Sequence, residues 1–209
     1  MGSTSRPSAR TAVSNLADQH VRKEKRPGYG PFFYSPVQSE LPSVSSQRNP
    51  LTKFLLLSAA SFAIGTIHGM LQVMPPIRHW LDSIGSPYGG PGHMIDPLAH
   101  AHMNLVGGVV MLAMGATYHL LPQFVNRPIY SQRLVNLTFW WTATGAYSFY
   151  VALLAFGFWE GSLLHSAPDQ IPAVQRFYGP VIACAATTMA IGFVIYFYNI
   201  AKTVQSARQ

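Results

Sequence analysis

Asp96-Pro-Leu-Ala-His-Ala-His-Met-Asn-Leu-Val-Gly-Gly-Val-Val-Met-Leu-Ala-Met-Gly-Ala-Thr-Tyr-His-Leu-Leu-Pro122 is an apolar run long enough to cross a lipid bilayer. His100 and His102 lie just inside its beginning. Ionisable side chains are costly in hydrocarbon, so each indicates a site or a satisfied hydrogen bond. Residues two apart on an α-helix point about 200° apart, so these two imidazoles cannot hold the same ligand.

The rest of the chain divides into a polar part and an apolar part. Hydrophobic residues make up 49% of the 209 residues and charged residues 10%, but the first fifty residues are polar and basic. Long apolar runs follow, which predict an all-α membrane protein with a four-helix transmembrane bundle. We expect an extension over 1–50, a membrane domain over 51–203 and a tail over 204–209, with helices at about 51–74, 97–121, 134–158 and 173–200.

The net charge of +7 is distributed unevenly across these helices. Only Arg78 and Arg176 fall on one side, whereas twelve basic residues fall on the other: Arg6, Arg10, Arg22, Lys23, Lys25, Arg26, Arg48, Lys53, Arg127, Arg133, Lys202 and Arg208. Positive residues accumulate on the cytoplasmic side of membrane proteins, so both termini are predicted to be cytoplasmic. The bilayer accounts for the basic charge, and we expect no nucleic-acid partner.

The polar extension has two interpretations. Its composition is typical of a segment that is disordered by itself, and it could lie along anionic headgroups. Its aromatic patch, Tyr29-Gly-Pro-Phe-Phe-Tyr34, could instead dock on another subunit. No signal peptide is expected, because the first thirty residues contain no apolar segment. Cys184 is the single cysteine, so no disulfide within the chain is possible.

Three histidines are predicted to share one depth in the membrane. His68 lies about six residues before the end of the first helix, and His100 and His102 lie near the start of the second. All three fall within roughly 5–9 Å of the outer interface, whereas His119 lies about 25 Å away. Antiparallel helices could bring His68 beside one of the pair and form a bis-imidazole haem b site. They could equally face water or hydrogen-bond between helices.

The motif around these histidines resembles a known family. His100-Ala-His102, Gly107-Gly108 and Met114-Gly-Ala-Thr-Tyr-His-Leu-Leu-Pro122 resemble helix ten of the haem–copper oxidase catalytic subunit I family, especially cbb-type cytochrome c oxidase and the nitric oxide reductase large subunit. Weaker likenesses follow at Ile129-Tyr-Ser-Gln-Arg-Leu-Val135, Phe139-Trp140, Thr142-Ala-Thr-Gly145 and Tyr196-Phe-Tyr-Asn-Ile-Ala-Lys-Thr203. Residues 55–203 thus resemble the final four of about twelve helices, as a truncated subunit.

The resemblance implies roles for the histidine pair. In the family the first histidine is the proximal ligand of a high-spin haem and the second ligates a low-spin haem, which correspond here to His100 and His102. The helices that carry the family's copper ligands and its other low-spin ligand have no counterpart in this sequence. We therefore expect no copper centre and no oxygen or nitric oxide reduction by this chain alone. His68 falls where the family has an acidic residue and is a candidate replacement ligand.

Two functions from different classes follow. The leading prediction is a haem b subunit of a respiratory or other electron-transfer complex in a bacterial inner membrane, with haem held by His102 and either His68 or a partner's histidine. Glu160 and Asp169 on an outer loop could receive a c-type cytochrome. The alternative is a cofactor-free structural subunit of a larger membrane complex. A metal chaperone is a third, weaker interpretation, because we expect no exposed Cys or Met-rich loop.

Overall fold

The computed structural model describes residues 51–206; residues 1–50 and 207–209, with the predicted extension and its aromatic patch, lie outside the described residues. The described part is helical, and no strand occurs in it. Its helices are α1 (Thr52–Gln72), α2 (Pro75–Ser83), α3 (Gly90–Val125), α4 (Gln132–Ser166) and α5 (Ile171–Ser206), with a 3₁₀ turn at Pro168–Gln170 before α5. Four of them are long and apolar enough to cross a membrane, which confirms the predicted fold class.

The four long helices run alternately up and down. α1 packs on α3, α3 packs on α4, and the most extensive contact joins α4 to α5. The beginning of α1 and the end of α5 therefore lie at the same end of the bundle, where Arg127 donates to the carbonyl of Ser206 at 2.6 Å. The short helix α2 lies at the other end, which we call the α2 end.

Close helix packing depends on small residues at the contacts. A Cβ atom built on Gly107 of α3 would lie 2.7 Å from the hydroxyl of Ser61 on α1. A Cβ atom on Gly145 of α4 would lie 2.3 Å from the backbone nitrogen of Met189 on α5. Membrane helices gain association energy from such close approach because lipid offers no hydrophobic driving force between them.

A buried apolar cluster holds the bundle together at the end opposite α2. Its members come from α1, α3, the α3–α4 connection and α4: Phe54, Met111, Met114, Tyr118, Ile129, Val135, Phe139 and Ala143. The Phe54 ring meets the Phe139 ring edge-on at 5.1 Å, and the Tyr118 hydroxyl lies 3.0 Å from the Thr138 hydroxyl. The cluster fixes α3 between α1 and α4, and so fixes where the histidines at the other end of α3 can reach.

The helix α3 is longer and less regular than predicted. It begins at Gly90 rather than near Pro97, and its backbone is interrupted at Asp96, where φ is −129° and ψ is 113°. Wide π-type turns cover Met94–Ala99 and Met103–Val110, on either side of the short α-helical segment His100–His102. Pro122 lies inside the last turns, and the helix ends after Val125 because Asn126 is left-handed with φ of 50°.

Two connections expected to be loops are helical. The residues after α1 form α2, because two prolines occupy its first turn, where their missing N–H groups are tolerated. The segment after residue 158, expected to be an outer loop, continues α4 to Ser166 and places Glu160 inside a helix. Glu160 is 2% exposed and is not available to a soluble partner, which corrects its predicted place on an outer loop. Asp169 is exposed in the 3₁₀ turn.

Candidate functional site

A polar cluster joins α1, α3 and α4 near the α2 end. Gln72 of α1 is buried at 4% exposure, and its amide nitrogen lies 2.8 Å from Nε2 of His68 and 3.1 Å from the carbonyl oxygen of Ile95. Its amide oxygen lies 3.2 Å from Nδ1 of His100. Nδ1 of His68 lies 3.2 Å from the Tyr150 hydroxyl of α4. The rings of His68 and His100 are 5.9 Å apart, as expected for histidines on adjacent antiparallel helices.

The contact to Ile95 fixes the protons in this cluster. A carbonyl oxygen only accepts, so the Gln72 atom facing Ile95 must be the NH₂ nitrogen. The same nitrogen donates to Nε2 of His68, which leaves Nδ1–H of His68 to donate to the Tyr150 hydroxyl. Nδ1–H of His100 donates to the Gln72 oxygen. The His68 imidazole is therefore neutral, and both of its ring nitrogens are engaged.

Nε2 of His100 has no hydrogen-bond partner among the described residues, and α1 covers it. A Cβ atom built on Gly69 of α1 would lie 2.9 Å from Cε1 and 3.1 Å from Nε2 of His100. The edge of the ring that bears Nε2 thus lies against the backbone of α1. A planar cofactor cannot approach this nitrogen unless α1 moves away from α3.

His102 has a different environment on the other side of α3. Its Nδ1 lies 2.8 Å from the carbonyl oxygen of Leu98 and must donate to it, because a carbonyl oxygen only accepts. Its ring is half-buried and contacts the ring of Phe149 on α4 at 4.7 Å. Within residues 51–206, Nε2 of His102 has no hydrogen-bond partner. A ring fixed through Nδ1–H, with no hydrogen bond at Nε2, has the orientation of a typical metal-ligating histidine.

The remaining described histidines lie away from this position. His79 is exposed on α2, and His119 is exposed toward the opposite end of α3. His93 contacts the carbonyl of Pro87 at 2.5 Å, and His165 contacts the Ser83 hydroxyl at 3.1 Å. Among residues 51–206, no three His, Cys, Asp or Glu side chains are grouped closely enough to hold a metal ion. A metal site built from these side chains of the described residues alone would therefore have fewer than three of them as ligands.

The α2 end carries a small ionic network. Arg78 of α2 donates to Asp82 on the next turn and to Asp96 of α3 at 2.6 Å, and Ser86 donates to the same Asp96 carboxylate at 3.0 Å. The hydrogen bond from Arg78 lowers the pKa of Asp82, and the paired carboxylates of Asp82 and Asp96 raise the pKa of Arg78. The network ties α2 to the interrupted backbone at the start of α3, immediately before the histidines.

The structure brings together some of the predicted site residues and not others. His68 lies beside His100, whereas His102 contacts Phe149; within the described residues His68 and His102 share no ring contact. Gln72 and Tyr150 were not predicted as site residues, although Gln72 bonds both His68 and His100 and Tyr150 bonds His68. The one signal in the sequence was the position of Gln72, a polar residue four positions after His68 on an apolar helix.

The described chain has four membrane helices, and the irregular helix α3 carries a His-x-His pair. These features define an oxidase-like membrane subunit. Residues 42–195 match the family described as Cytochrome C and Quinol oxidase polypeptide I. Because the match covers most of the chain, the chain belongs to this family, and the resemblance inferred from its motifs is confirmed.

Curated relatives agree with this assignment. The chain is 25% identical over 177 residues to the cbb3-type cytochrome c oxidase subunit CcoN1 of Stutzerimonas stutzeri, covering 77% of this chain and 34% of the relative. It is 27% identical over 172 residues to a bacteroid cytochrome c oxidase subunit 1 homolog of Bradyrhizobium diazoefficiens, covering 75% of this chain and 29% of the relative. The chain therefore spans about a third of the length of the relatives it matches.

Proposed function

We propose that this protein is a small subunit of a respiratory or other electron-transfer complex that binds haem b through His102. The proposal places it in a bacterial inner membrane, with both termini in the cytoplasm and the haem near the outer face. Other membrane subunits are its partners, and a c-type cytochrome at the outer face is a candidate electron donor. Membership of an oxidase subunit family supports the class of protein; the haem and the electron transfer are the proposal.

The observation that carries the proposal is the unengaged Nε2 of His102. The hydrogen bond from Nδ1–H to Leu98 holds the imidazole in one orientation. The Phe149 ring provides an apolar wall beside it, as haem requires. A neutral imidazole within a membrane helix is costly unless both nitrogens are satisfied, and iron coordination would satisfy the second one.

The three predicted ligands fit haem unequally. His102 fits, because coordination there breaks no hydrogen bond of the described structure. His68 would have to give up Gln72 or Tyr150, and His100 would require α1 to withdraw from Gly69. His68 and His100 were also predicted as haem ligands, and these contacts disfavour both of them. The second axial ligand is therefore proposed to come from a partner chain, which was one of the two possibilities left open by the sequence.

In this proposal bound haem supplies one-electron chemistry, and the protein holds it and controls its surroundings. His102 binds through Nε2, Leu98 fixes the ring orientation, and Phe149 excludes water from one side. The polar cluster of His68, Gln72, His100 and Tyr150 keeps α1, α3 and α4 in register. No copper centre is proposed, and the chain alone is not proposed to be an enzyme.

A cofactor-free structural subunit is the second candidate, and one observation favours it. The polar cluster satisfies two of the three predicted ligands with hydrogen bonds inside the protein, as expected where histidines serve only to join helices. In that case the bundle would serve as a membrane anchor for other subunits.

The test is a dithionite-reduced minus oxidised optical spectrum of the purified complex, combined with iron analysis. We expect a b-type spectrum that His102→Ala reduces by at least tenfold and that His68→Ala and His100→Ala leave present. His119→Ala, an exposed histidine on the same helix, is the matched control. A spectrum lost with His68→Ala would restore that residue as a ligand. Absence of both haem and iron from the intact complex would refute the proposal and leave the structural subunit.

A further inference from the structure

We infer that Glu160 holds a proton at neutral pH and forms a proton-binding site between α4 and α5, apart from the histidines of α3. The site consists of Glu160 on α4 with Gln175 and Tyr178 on α5, and we call it the Glu160 site. The inference does not rest on the proposed haem, since none of these three residues takes part in that proposal.

The helices of the described chain bury Glu160 so completely that other protein cannot reach it. The residue is 2% exposed, and its Oε1 atom is buried without a hydrogen-bond partner among residues 51–206. Another chain, or a segment beyond the described residues, could contact this atom only if α4 and its neighbours separated. The surroundings of the carboxyl group are therefore those that the described helices provide.

These surroundings offer no cation to a carboxylate. The other carboxyl oxygen, Oε2, lies 3.3 Å from the side-chain amide nitrogen of Gln175, which is neutral. Tyr178, three residues further along α5, is the titratable side chain within electrostatic reach of Glu160. In the part of the chain that the structure describes, both ion pairs belong to Arg78 and neither includes Glu160.

Other titratable or charged side chains on the neighbouring elements are exposed or have other partners: Arg78, His79, Asp82, His93, Asp96, His165, Asp169 and Arg176. An ionised Glu160 would thus be a buried charge that no group of the described helices compensates.

A carboxyl group in this position is stable as the neutral acid. A carboxylate that is removed from water without a cation is so costly that the group takes up a proton instead. Gln175 suits the neutral acid, because rotation of its amide group presents the amide oxygen to Oε2. Oε2–H then donates to that oxygen. Oε1 remains as a carbonyl oxygen, whose unmet hydrogen bond costs much less than an unmet charge.

The position of Glu160 along α4 gives its proton a short path to water. α4 has 35 residues and is about 52 Å long at a rise of 1.5 Å per residue, whereas the hydrocarbon core of a bilayer is about 30 Å thick. Glu160 lies in the last two turns of this helix, before it ends at Ser166. Gln175 is exposed, so movement of that one side chain opens the carboxyl group to water.

Infrared difference spectroscopy of the purified protein tests the inference, because a protonated carboxyl group has a carbonyl band separate from the carboxylate bands. We expect a carboxylic-acid band at pH 7 that Glu160→Gln removes. The fold should be retained in this variant, because Gln is neutral and nearly equal in size to the neutral acid. Asp169→Asn, which changes an exposed carboxyl group, is the matched control and should remove no such band.

A second variant tests the contact with α5 and leaves the carboxyl group in place. Gln175→Leu removes the hydrogen-bond partner of Oε2, so the acid band should shift to higher frequency without disappearing. Because Gln175 is exposed, the fold should tolerate this change. In the unmodified protein the band should keep its intensity between pH 5 and pH 8, whereas exposed carboxyl groups lose their protons near about pH 4.

Each other result overturns the inference. A spectrum of the unmodified protein without an acid band at pH 7 would show that Glu160 is ionised. A band that persists in Glu160→Gln would belong to a different carboxyl group. If Glu160→Gln does not fold, the unmodified protein and Gln175→Leu still decide the matter, and a band unchanged by Gln175→Leu would show that the proton is not held between α4 and α5.

Discussion

The two sides of α3 near the α2 end differ in how they use a histidine. On one side, His100 donates to Gln72 and lies against Gly69, so α1 and α3 enclose it. On the other side, His102 bonds only the backbone of its own helix and rests on Phe149, and its Nε2 has no partner among the described residues. The two histidines are only two residues apart. His100 joins two helices, whereas His102 retains a ring nitrogen without a partner among the described residues.

The difference teaches which observation separates a histidine that joins helices from one proposed to bind haem. Membrane depth does not, because both residues are at nearly the same depth. Burial does not either, because both are partly buried. The discriminating feature is the surroundings of the second ring nitrogen: it lies against α1 in His100, whereas in His102 it has no hydrogen-bond partner among the described residues.

The largest effect is expected from Gln72→Leu. This change removes the partner of both His68 and His100 and leaves the Ile95 carbonyl unpaired, and each unsatisfied buried polar group costs about 1–3 kcal/mol. Compensation among membrane helices reduces the sum, so we expect a loss of about 2–3 kcal/mol of unfolding free energy. Denaturant unfolding in detergent measures it.

Gln123→Leu is the matched control for that change, because Gln123 is exposed on α3 and makes only a 3.5 Å bond to the carbonyl of His119. Equal stability of the two variants would show that the His100 side of α3 is not held by its polar cluster. The comparison between the two sides would then lose its basis.

A smaller effect is expected from Gly69→Ala. The added Cβ atom would lie 2.9 Å from Cε1 of His100, and Gln72 holds that ring in place. Overpacking of this kind typically costs about 1–3 kcal/mol, against a gain of up to about 1 kcal/mol in helix propensity. Gly179→Ala meets nothing within 4 Å and gains the propensity alone. Thermal unfolding should place Gly69→Ala below Gly179→Ala; the reverse order would mean that α1 does not press on His100.

His102→Ala is expected to change the stability of haem-free protein little. Removal of the ring takes a hydrogen-bond donor only from the Leu98 carbonyl, which keeps its place in the helix. The loss should be about 0.5 kcal/mol or less, the range of substitutions away from the core and its networks. The same variant should lose haem, as measured by the optical spectrum. A destabilisation as large as that of Gln72→Leu would make His102 a structural residue like His100.

The smallest effect concerns pH at the α2 end. Because Arg78 lowers the pKa of Asp82, this carboxylate contributes stability that is present above the pKa of unfolded Asp, about 3.9, and is lost as pH falls through the lower folded value. Acidification below about pH 4 should therefore loosen α2 slightly. Hydrogen exchange of α2 with and without Asp82→Asn measures it. No acid-dependent difference between these proteins would mean that the pair does not hold α2.

The sequence was sufficient for the bundle but not for the cluster within it. Apolar runs separated by prolines and basic residues predicted four membrane helices, and shared depth predicted that His68 would lie beside one of the paired histidines. Which of the two it meets depends on the rotation of α3, and the wide turns of α3 change that rotation. The burial of Glu160 likewise depends on how far α4 continues, because nothing in its local sequence stops the helix before Ser166.

The wide turns at Met103–Val110 have a consequence for length changes in α3. Such turns accommodate one residue more than regular α-helical turns. The extra residue rotates one half of α3 about the helix axis relative to the other half. A deletion of one residue within this segment would turn the histidine half by about 100° against the half that carries Tyr118. The direction of His102 therefore depends on the number of residues in this segment, whereas the cluster at the opposite end of α3 does not.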